Sequence, residues 1–203
     1  MTVDDIDLKL TTRYETDLRG NVTEIIDPRG VRHEYIYNEV DWLVEERVAA
    51  SGSSDGAPPL SLVTKYLYDE NGNVIEKQEP FGEGGTISTR WSHGLLNEVR
   101  SVDRELAPGG ETAHESYEYD PNLNVTRAVD AEGRATSFAY DERDLVVTRT
   151  LESATDDPIT ITYTYDAEGQ QTQMTDGRGG LWKTEYDGYS RVKAQIDPAG
   201  TTT

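Results

Sequence analysis

The feature that most constrains this chain is a recurrence: an aromatic residue stands just ahead of a turn, eight times over. These aromatics are Tyr14, Tyr37, Tyr68, Trp91, Tyr119, Tyr140, Tyr165 and Tyr186, and the gaps between them are 23, 31, 23, 28, 21, 25 and 21 residues. Short and long gaps alternate, as expected if the connections lie at two edges of one structure. The clearest copies read Tyr68-Asp69-Glu70-Asn71-Gly72-Asn73-Val74 and Tyr165-Asp166-Ala167-Glu168-Gly169-Gln170. Tyr119-Asp120-Pro121-Asn122 and Tyr140-Asp141-Glu142-Arg143 are close relatives, and Tyr186 is likewise followed by Asp187. Trp91-Ser92-His93-Gly94 keeps the Gly but not the Tyr-Asp pair, and the first copy needs two extra residues between Tyr14 and Gly20. Self-similarity at this period marks a repeat architecture in which each repeat is one supersecondary unit.

The physics of that unit is legible. Ahead of the anchors, aromatics fall at i and i+2, as in Tyr35 and Tyr37, Tyr117 and Tyr119, or Phe138 and Tyr140. That spacing puts both rings on one face of a strand. After the anchor, Asp or Asn can bond its own backbone and Gly accepts the positive φ a turn demands. A second alternating run follows, such as Val125, Arg127, Val129. Strand, short turn, strand is a hairpin. A second punctuation mark closes many units: Asp27-Pro28-Arg29-Gly30, Asp130-Ala131-Glu132-Gly133, Asp176-Gly177-Arg178-Gly179 and Asp197-Pro198-Ala199-Gly200, with Glu79-Pro80-Phe81-Gly82 as a looser copy. Coded turns at both strand ends make the chain meander. The polar stretches Ser51-Gly52-Ser53-Ser54-Asp55-Gly56-Ala57-Pro58-Pro59 and Ala107-Pro108-Gly109-Gly110 read as longer loops rather than domain boundaries. The expectation is an all-β chain of tandem antiparallel β-hairpins, a curved, solenoid-like sheet strip. It forms a single repeat region over 1–203 with about eight units anchored near 14, 37, 68, 91, 119, 140, 165 and 186.

Composition narrows the function. The net charge is −20, from 39 Asp+Glu against 19 Lys+Arg. Such a field repels nucleic acid and anionic membranes, so neither is expected as a partner. With no cysteine, disulfide frameworks and thiol chemistry are excluded. No run of about 18 apolar residues occurs, and the acidic start Met1-Thr2-Val3-Asp4-Asp5 lacks the character of a signal peptide. Apolar residues make up roughly 37% of the chain when Gly is counted and Tyr is not, below the ~45–50% of globular domains. A thick core is therefore not expected. Since an isolated hairpin is marginal in water, stability must come from unit-to-unit stacking.

Candidate chemistry is sparse. The repeated rings read first as packing groups that stack on equivalent rings of neighbouring hairpins. The second reading is contact with glycans, for which Trp91 and Trp182 are the candidates. The cluster Asp69-Glu70-Asn71-Gly72-Asn73 presents the oxygen ligands a calcium ion takes, but it lacks the spacing and closing Glu of an EF-hand loop, and turn chemistry explains it without a metal. The structural turn set comprises Asp69, Gly72, Asp120, Asp141, Asp166, Gly169 and Asp187 at one edge. At the other it comprises Asp27, Gly30, Asp130, Gly133, Asp176, Gly179, Asp197 and Gly200. His33, His93 and His114 are spread too far for a metal motif, and no nucleophile elbow, phosphate loop or dinucleotide fingerprint is present. The reading is of a protein that is not an enzyme, with no cofactor and no metal site.

The Tyr-Asp-x-x-Gly-Asn and Asp-Pro-x-Gly pattern, carried from about Tyr14 to Gly200, resembles the Rhs/YD-repeat proteins. That family includes bacterial polymorphic toxins, the cocoon component of insecticidal toxin complexes, and teneurin shells. The resemblance implies a strip of β-sheet that spirals into a hollow, secreted or cell-surface shell. It implies as function a scaffold that encloses or presents a toxin or other effector polypeptide, with flanking repeats and that cargo as partners. The alternative is a carbohydrate-binding or adhesion module. No aspartate-based self-cleavage region is recognisable, and the close at Ile196-Asp197-Pro198-Ala199-Gly200-Thr201-Thr202-Thr203 reads as a piece of a larger protein.

Overall fold

A computed structural model describes residues 11–49, 61–82, 84–153 and 156–203. The loop expected over Ser51–Pro59 lies outside them. The chain is all-β, and no helix occurs among the described residues. Among the described residues, sixteen strands join one open antiparallel sheet in sequence order. They divide between two compact units, Met1–His93 with Asp103–Thr112, and Gly94–Val102 with Ala113–Thr203.

The first unit holds β1 (Arg13–Thr16), β2 (Val22–Ile26), β3 (Arg32–Tyr37), β4 (Leu43–Ala49), β5 (Ser61–Tyr68), β6 (Val74–Phe81) and β7 (Gly85–His93). Strand β8 (Val99–Glu105) is divided between the two units. The second unit holds β9 (Thr112–Tyr119), β10 (Val125–Val129), β11 (Ala135–Tyr140), β12 (Val146–Leu151), β13 (Ile159–Tyr165), β14 (Gln171–Thr175), β15 (Leu181–Tyr186) and β16 (Val192–Ile196). β-Branched and aromatic residues fill these segments, which suits a pleated, half-buried surface.

Among the described residues each unit is a single layer without an enclosed core. Among the described residues, the apolar side chain classed as buried is Ala135, at 7% exposure. Side chains alternate between two faces. On one face of the first unit Tyr35 stands opposite Glu46 and Tyr66 opposite Lys77. In the second unit Tyr163 faces Met174, which in turn faces Trp182. The reverse face of that unit is rich in hydroxyls, with Thr150 opposite Thr160 and Thr148 opposite Thr162.

One punctuation mark differs from the expectation. Glu79-Pro80-Phe81 is strand: Pro80 pairs with Thr86 and Phe81 with Gly85 in the β6–β7 ladder. The turn lies at Gly82 and Gly84, whose φ values are +57° and +83°. The β5–β6 ladder ends at Lys65–Gln78, so Pro80 lies past its last bond, where a missing N–H is tolerated.

Candidate functional site, the hairpin joints

The working parts of this sheet are its turns and the joints between hairpins. Each coded turn is a five-residue loop with one bonding scheme. In the loop beginning at Asp141, the Asp141 N–H donates to Leu145 O at 2.9 Å and the Asp144 N–H donates to Asp141 O at 3.1 Å. The Asp141 carboxylate accepts the N–H groups of Arg143 at 2.9 Å and Leu145 at 3.0 Å. The residue at the fourth position then takes a left-handed φ, which makes this a type I turn closed by a bulge.

The same backbone scheme holds at Asp69, Asp120, Asp166 and Asp187 along one edge, and at Asp27, Asp130, Asp176 and Asp197 along the other. Gly72, Gly169, Gly30, Gly133, Gly179 and Gly200 fill the fourth position with φ between +77° and +87°. Donation by these N–H groups stabilises the charged carboxylate. Accordingly Asp27, Asp141 and Asp176 are held below the usual carboxylate range chiefly by the backbone N–H groups of Val31, Leu145 and Gly180. Asp17 and Asp69 are held down chiefly by the amides of Asn21 and Asn73.

The anchors explain the joints. Between one hairpin and the next the ladder stops short of the turn: β10–β11 pairing ends at Arg127–Ser137. Beyond it the Val125 carbonyl has no strand partner, and the Tyr140 hydroxyl donates to it at 2.8 Å. The same bond recurs from Tyr37 to Val22 (3.0 Å), Tyr68 to Leu43 (2.7 Å), Tyr119 to Val99 (2.7 Å), Tyr165 to Val146 (2.7 Å) and Tyr186 to Gln171 (3.0 Å). Each acceptor lies six residues after the preceding anchor position. A half-buried ring thus fills the slit between hairpins while its hydroxyl satisfies the free carbonyl.

Two of the eight sequence anchors sit elsewhere. Turns begin at Asp17 and Gly94, since Gly20 N–H donates to Asp17 O and Asn97 N–H to Gly94 O. The anchor positions are therefore Thr16 and His93, and Tyr14 and Trp91 lie two residues earlier, at the place of Tyr35 or Tyr66. Counting aromatics alone misplaces them, because the preceding same-face position is also aromatic in most units. The expected ring-on-ring stacking is also corrected. Trp42 and Tyr68 do pack, at 5.2 Å between centroids. Successive anchors, however, stand two strands apart, about 9.6 Å, beyond the ~4.5–7 Å of a ring pair.

One residue was missed by the sequence reading. Gly94 supplies no carboxylate to its loop, and Glu98 supplies one from the other end. Its side chain accepts the Leu96 N–H at 3.0 Å, and its carboxylate lies where a Cβ on Gly94 would stand. Its own backbone N–H is the main cause of its lowered pKa. The sequence signal was the paired absence of Asp and presence of Glu in this one copy.

Of the glycan candidates, Trp91 is half-buried on its face. Trp182 is 42% exposed, and its indole N–H reaches Asp176 Oδ2 at 3.4 Å. It lines an open depression of about 330 Å³ with Gln171, Met174, Thr184 and Gln195. No cluster of three metal-ligating side chains occurs among the described residues.

The RHS Repeat family model matches residues 119–156 and 165–202. No curated protein matches the sequence. Among solved structures, the chain is similar to TcdB2–TccC3, with a TM-score of 0.75 at 16% identity over 92% of this chain and 10% of that one. Also similar are TcdB2–TccC3 without its hypervariable C-terminal region (0.74, 16%, 92% and 10%) and the Photorhabdus luminescens Tc holotoxin pore (0.70, 15%, 94% and 11%). This chain therefore spans about a tenth of the length of those chains, and the likeness is one of fold.

Proposed function

We propose that this chain, whose residues 119–156 and 165–202 match the RHS Repeat model, is a non-catalytic wall segment of a secreted or cell-surface shell that encloses or presents an effector polypeptide. The observation that carries the proposal is the tyrosine joint. A wall must be continuous, and the weak line in a stack of hairpins is the slit where one ladder ends before the next turn. Here a tyrosine ring fills that slit and its hydroxyl satisfies the carbonyl there. Containment needs no reactive group. Strands about 4.8 Å apart with bonded backbones leave no passage for another chain. The similarity in fold to segments of TcdB2–TccC3 supports the same reading.

The test uses the protein that carries this segment together with a polypeptide encoded beside it. Protease should spare that polypeptide in the native assembly and reach it when Tyr140 and Tyr165 are both changed to Ala, which removes the rings from their slits. Equal digestion with and without the segment would rule containment out.

A second reading, a carbohydrate-binding surface, is favoured by Trp182 alone, an exposed ring at an open depression flanked by amide side chains. Saturable binding on a glycan array, abolished in Trp182→Ala with an unchanged circular dichroism spectrum, would make that reading the better one. No binding across the array removes it.

A further inference from the structure

We infer that the assembling unit of this sheet is a pair of hairpins, and that two turn positions decide which hairpin follows which. The deciding positions are an amide at the fifth position of the leading turn and a polar, left-handed residue at the fourth position of the trailing turn. This concerns how the sheet is ordered and holds whether or not the wall encloses anything.

The turns along the anchor edge fall into two kinds that alternate. Leading turns begin at Asp17, Asp69, Asp120 and Asp166, and end in Gly20-Asn21, Gly72-Asn73, Leu123-Asn124 and Gly169-Gln170. Trailing turns begin at Asn38, Gly94, Asp141 and Asp187, and end in Asp41-Trp42, Asn97-Glu98, Asp144-Leu145 and Ser190-Arg191. Every leading turn carries Asn or Gln fifth, and no trailing turn does. Every trailing turn places a polar non-glycine residue at positive φ: 62° at Asp41, 65° at Asn97, 60° at Asp144 and 63° at Ser190. That conformation is disfavoured for a residue with a Cβ, so its recurrence calls for a compensating contact.

Three pairs show the contact. Asn21 Nδ2 donates to Asp41 Oδ1 at 2.8 Å, Asn124 Nδ2 to Asp144 Oδ1 at 2.6 Å, and Gln170 Nε2 to Ser190 Oγ at 3.2 Å. The left-handed backbone aims the short polar side chain at the preceding turn, where glycine would aim nothing. Between pairs the chemistry changes. The Trp42 ring lies over Gly72, where a Cβ would stand 2.9 Å from Cζ2, and Leu145 Cδ1 is 3.7 Å from the corresponding point on Gly169. Glycine stands fourth in three of the four leading turns; at Gly72 the previous pair's Trp42 leaves no room for a Cβ, whereas Leu145 is in ordinary van der Waals contact at Gly169 and nothing lies within 4 Å at Gly20. Leu123 is the exception, and it follows Glu98, whose side chain is turned back onto Gly94.

At the far edge the connections within a pair, through Asp27, Gly82, Asp130 and Asp176, are short, and the connection 106–111 between pairs is longer, although the loop at Asp197, which follows a trailing hairpin, is as short as those within pairs. Each stretch matched by the RHS Repeat model begins at a leading anchor, Tyr119 or Tyr165, and contains one leading and one trailing turn.

The experiment is equilibrium unfolding of the full chain with Asp144→Gly placed in two backgrounds. As a mere turn residue, Asp144 should improve on becoming Gly, which relieves the backbone and removes one of many negative charges. As the acceptor of a latch, it should lose roughly threefold to tenfold in the folding equilibrium constant. In the background Asn122→Ala/Asn124→Ala, where both amide donors to Asp144 are gone, the same change should instead raise the midpoint. A reversal of sign supports the inference, and the same sign in both backgrounds overturns it. Ser190→Gly with and without Gln170→Ala repeats the test at an independent pair, should one background fail to fold.

Discussion

At the residue scale, the anchor tyrosines act through one atom each. Tyr140→Phe keeps the ring in its slit and removes the hydroxyl that serves the Val125 carbonyl. It should destabilise the chain by about 1 kcal/mol in chemical denaturation. Tyr14→Phe should change nothing measurable, since Tyr14 is 64% exposed and its turn is anchored at Thr16 instead. Leu123 makes the opposite case. Its φ of +69° is unfavourable for a branched side chain, which is 42% exposed. Leu123→Gly should therefore stabilise by about 1 kcal/mol, read as a higher midpoint in the same assay. The contrast with Asp144, at the same turn position and similar φ, isolates what a side chain there contributes.

At the element scale, the hairpin is held by a carboxylate clamp on its turn, and that clamp titrates. Asp17, Asp27, Asp69, Asp141, Asp176 and Asp187 are all held below the usual carboxylate value in the folded chain. A group depressed in this way adds stability above its unfolded pKa and loses it as pH falls through the folded value. Unfolding midpoints should therefore be flat from neutral pH down to about 5 and fall progressively below about 4. Amide exchange at the turn positions that donate to these carboxylates should show local opening first. A flat profile down to pH 2 would mean that the clamps contribute nothing. Turns that begin with Asn38 or Gly94 lack a titrating first residue, so the Asn38 loop should keep its protection in acid, whereas the Gly94 loop depends on Glu98.

At the scale of the whole molecule, the chain exposes 14530 Å² for 22.6 kDa, against about 9,500 Å² for a close-packed monomer of that mass. Stability comes from contacts between neighbouring strands, as in other repeat proteins, rather than from a shared core. The formal charge of −20 opposes that compaction at every joint. Raising sodium chloride from about 0.01 M to about 0.5 M at pH 7 should raise the melting midpoint as the repulsion is screened. A fall would mean that the Arg–carboxylate pairs, such as Arg127 with Glu152 at 3.0 Å and Arg90 with Glu76 at 3.1 Å, outweigh it.

What the sequence determined by itself is whatever is local. The hairpins, their two kinds of edge and the Asp-x-x-Gly turns were legible because each depends on residues within five positions, where backbone sterics and a short carboxylate leave few choices. The resemblance to RHS repeats was legible for the same reason, since it is a pattern of turns. Only the tertiary structure could decide that Thr16 and His93, not Tyr14 and Trp91, occupy the anchor positions. It also revealed that the tyrosine hydroxyl serves a carbonyl 15 to 25 residues away, and that Asn124 belongs with Asp144, twenty residues on. Those relations join side chains that are distant in the chain and adjacent in the sheet. They arise from register, which a one-residue slip would reassign throughout, and register is settled only when all the strands are paired.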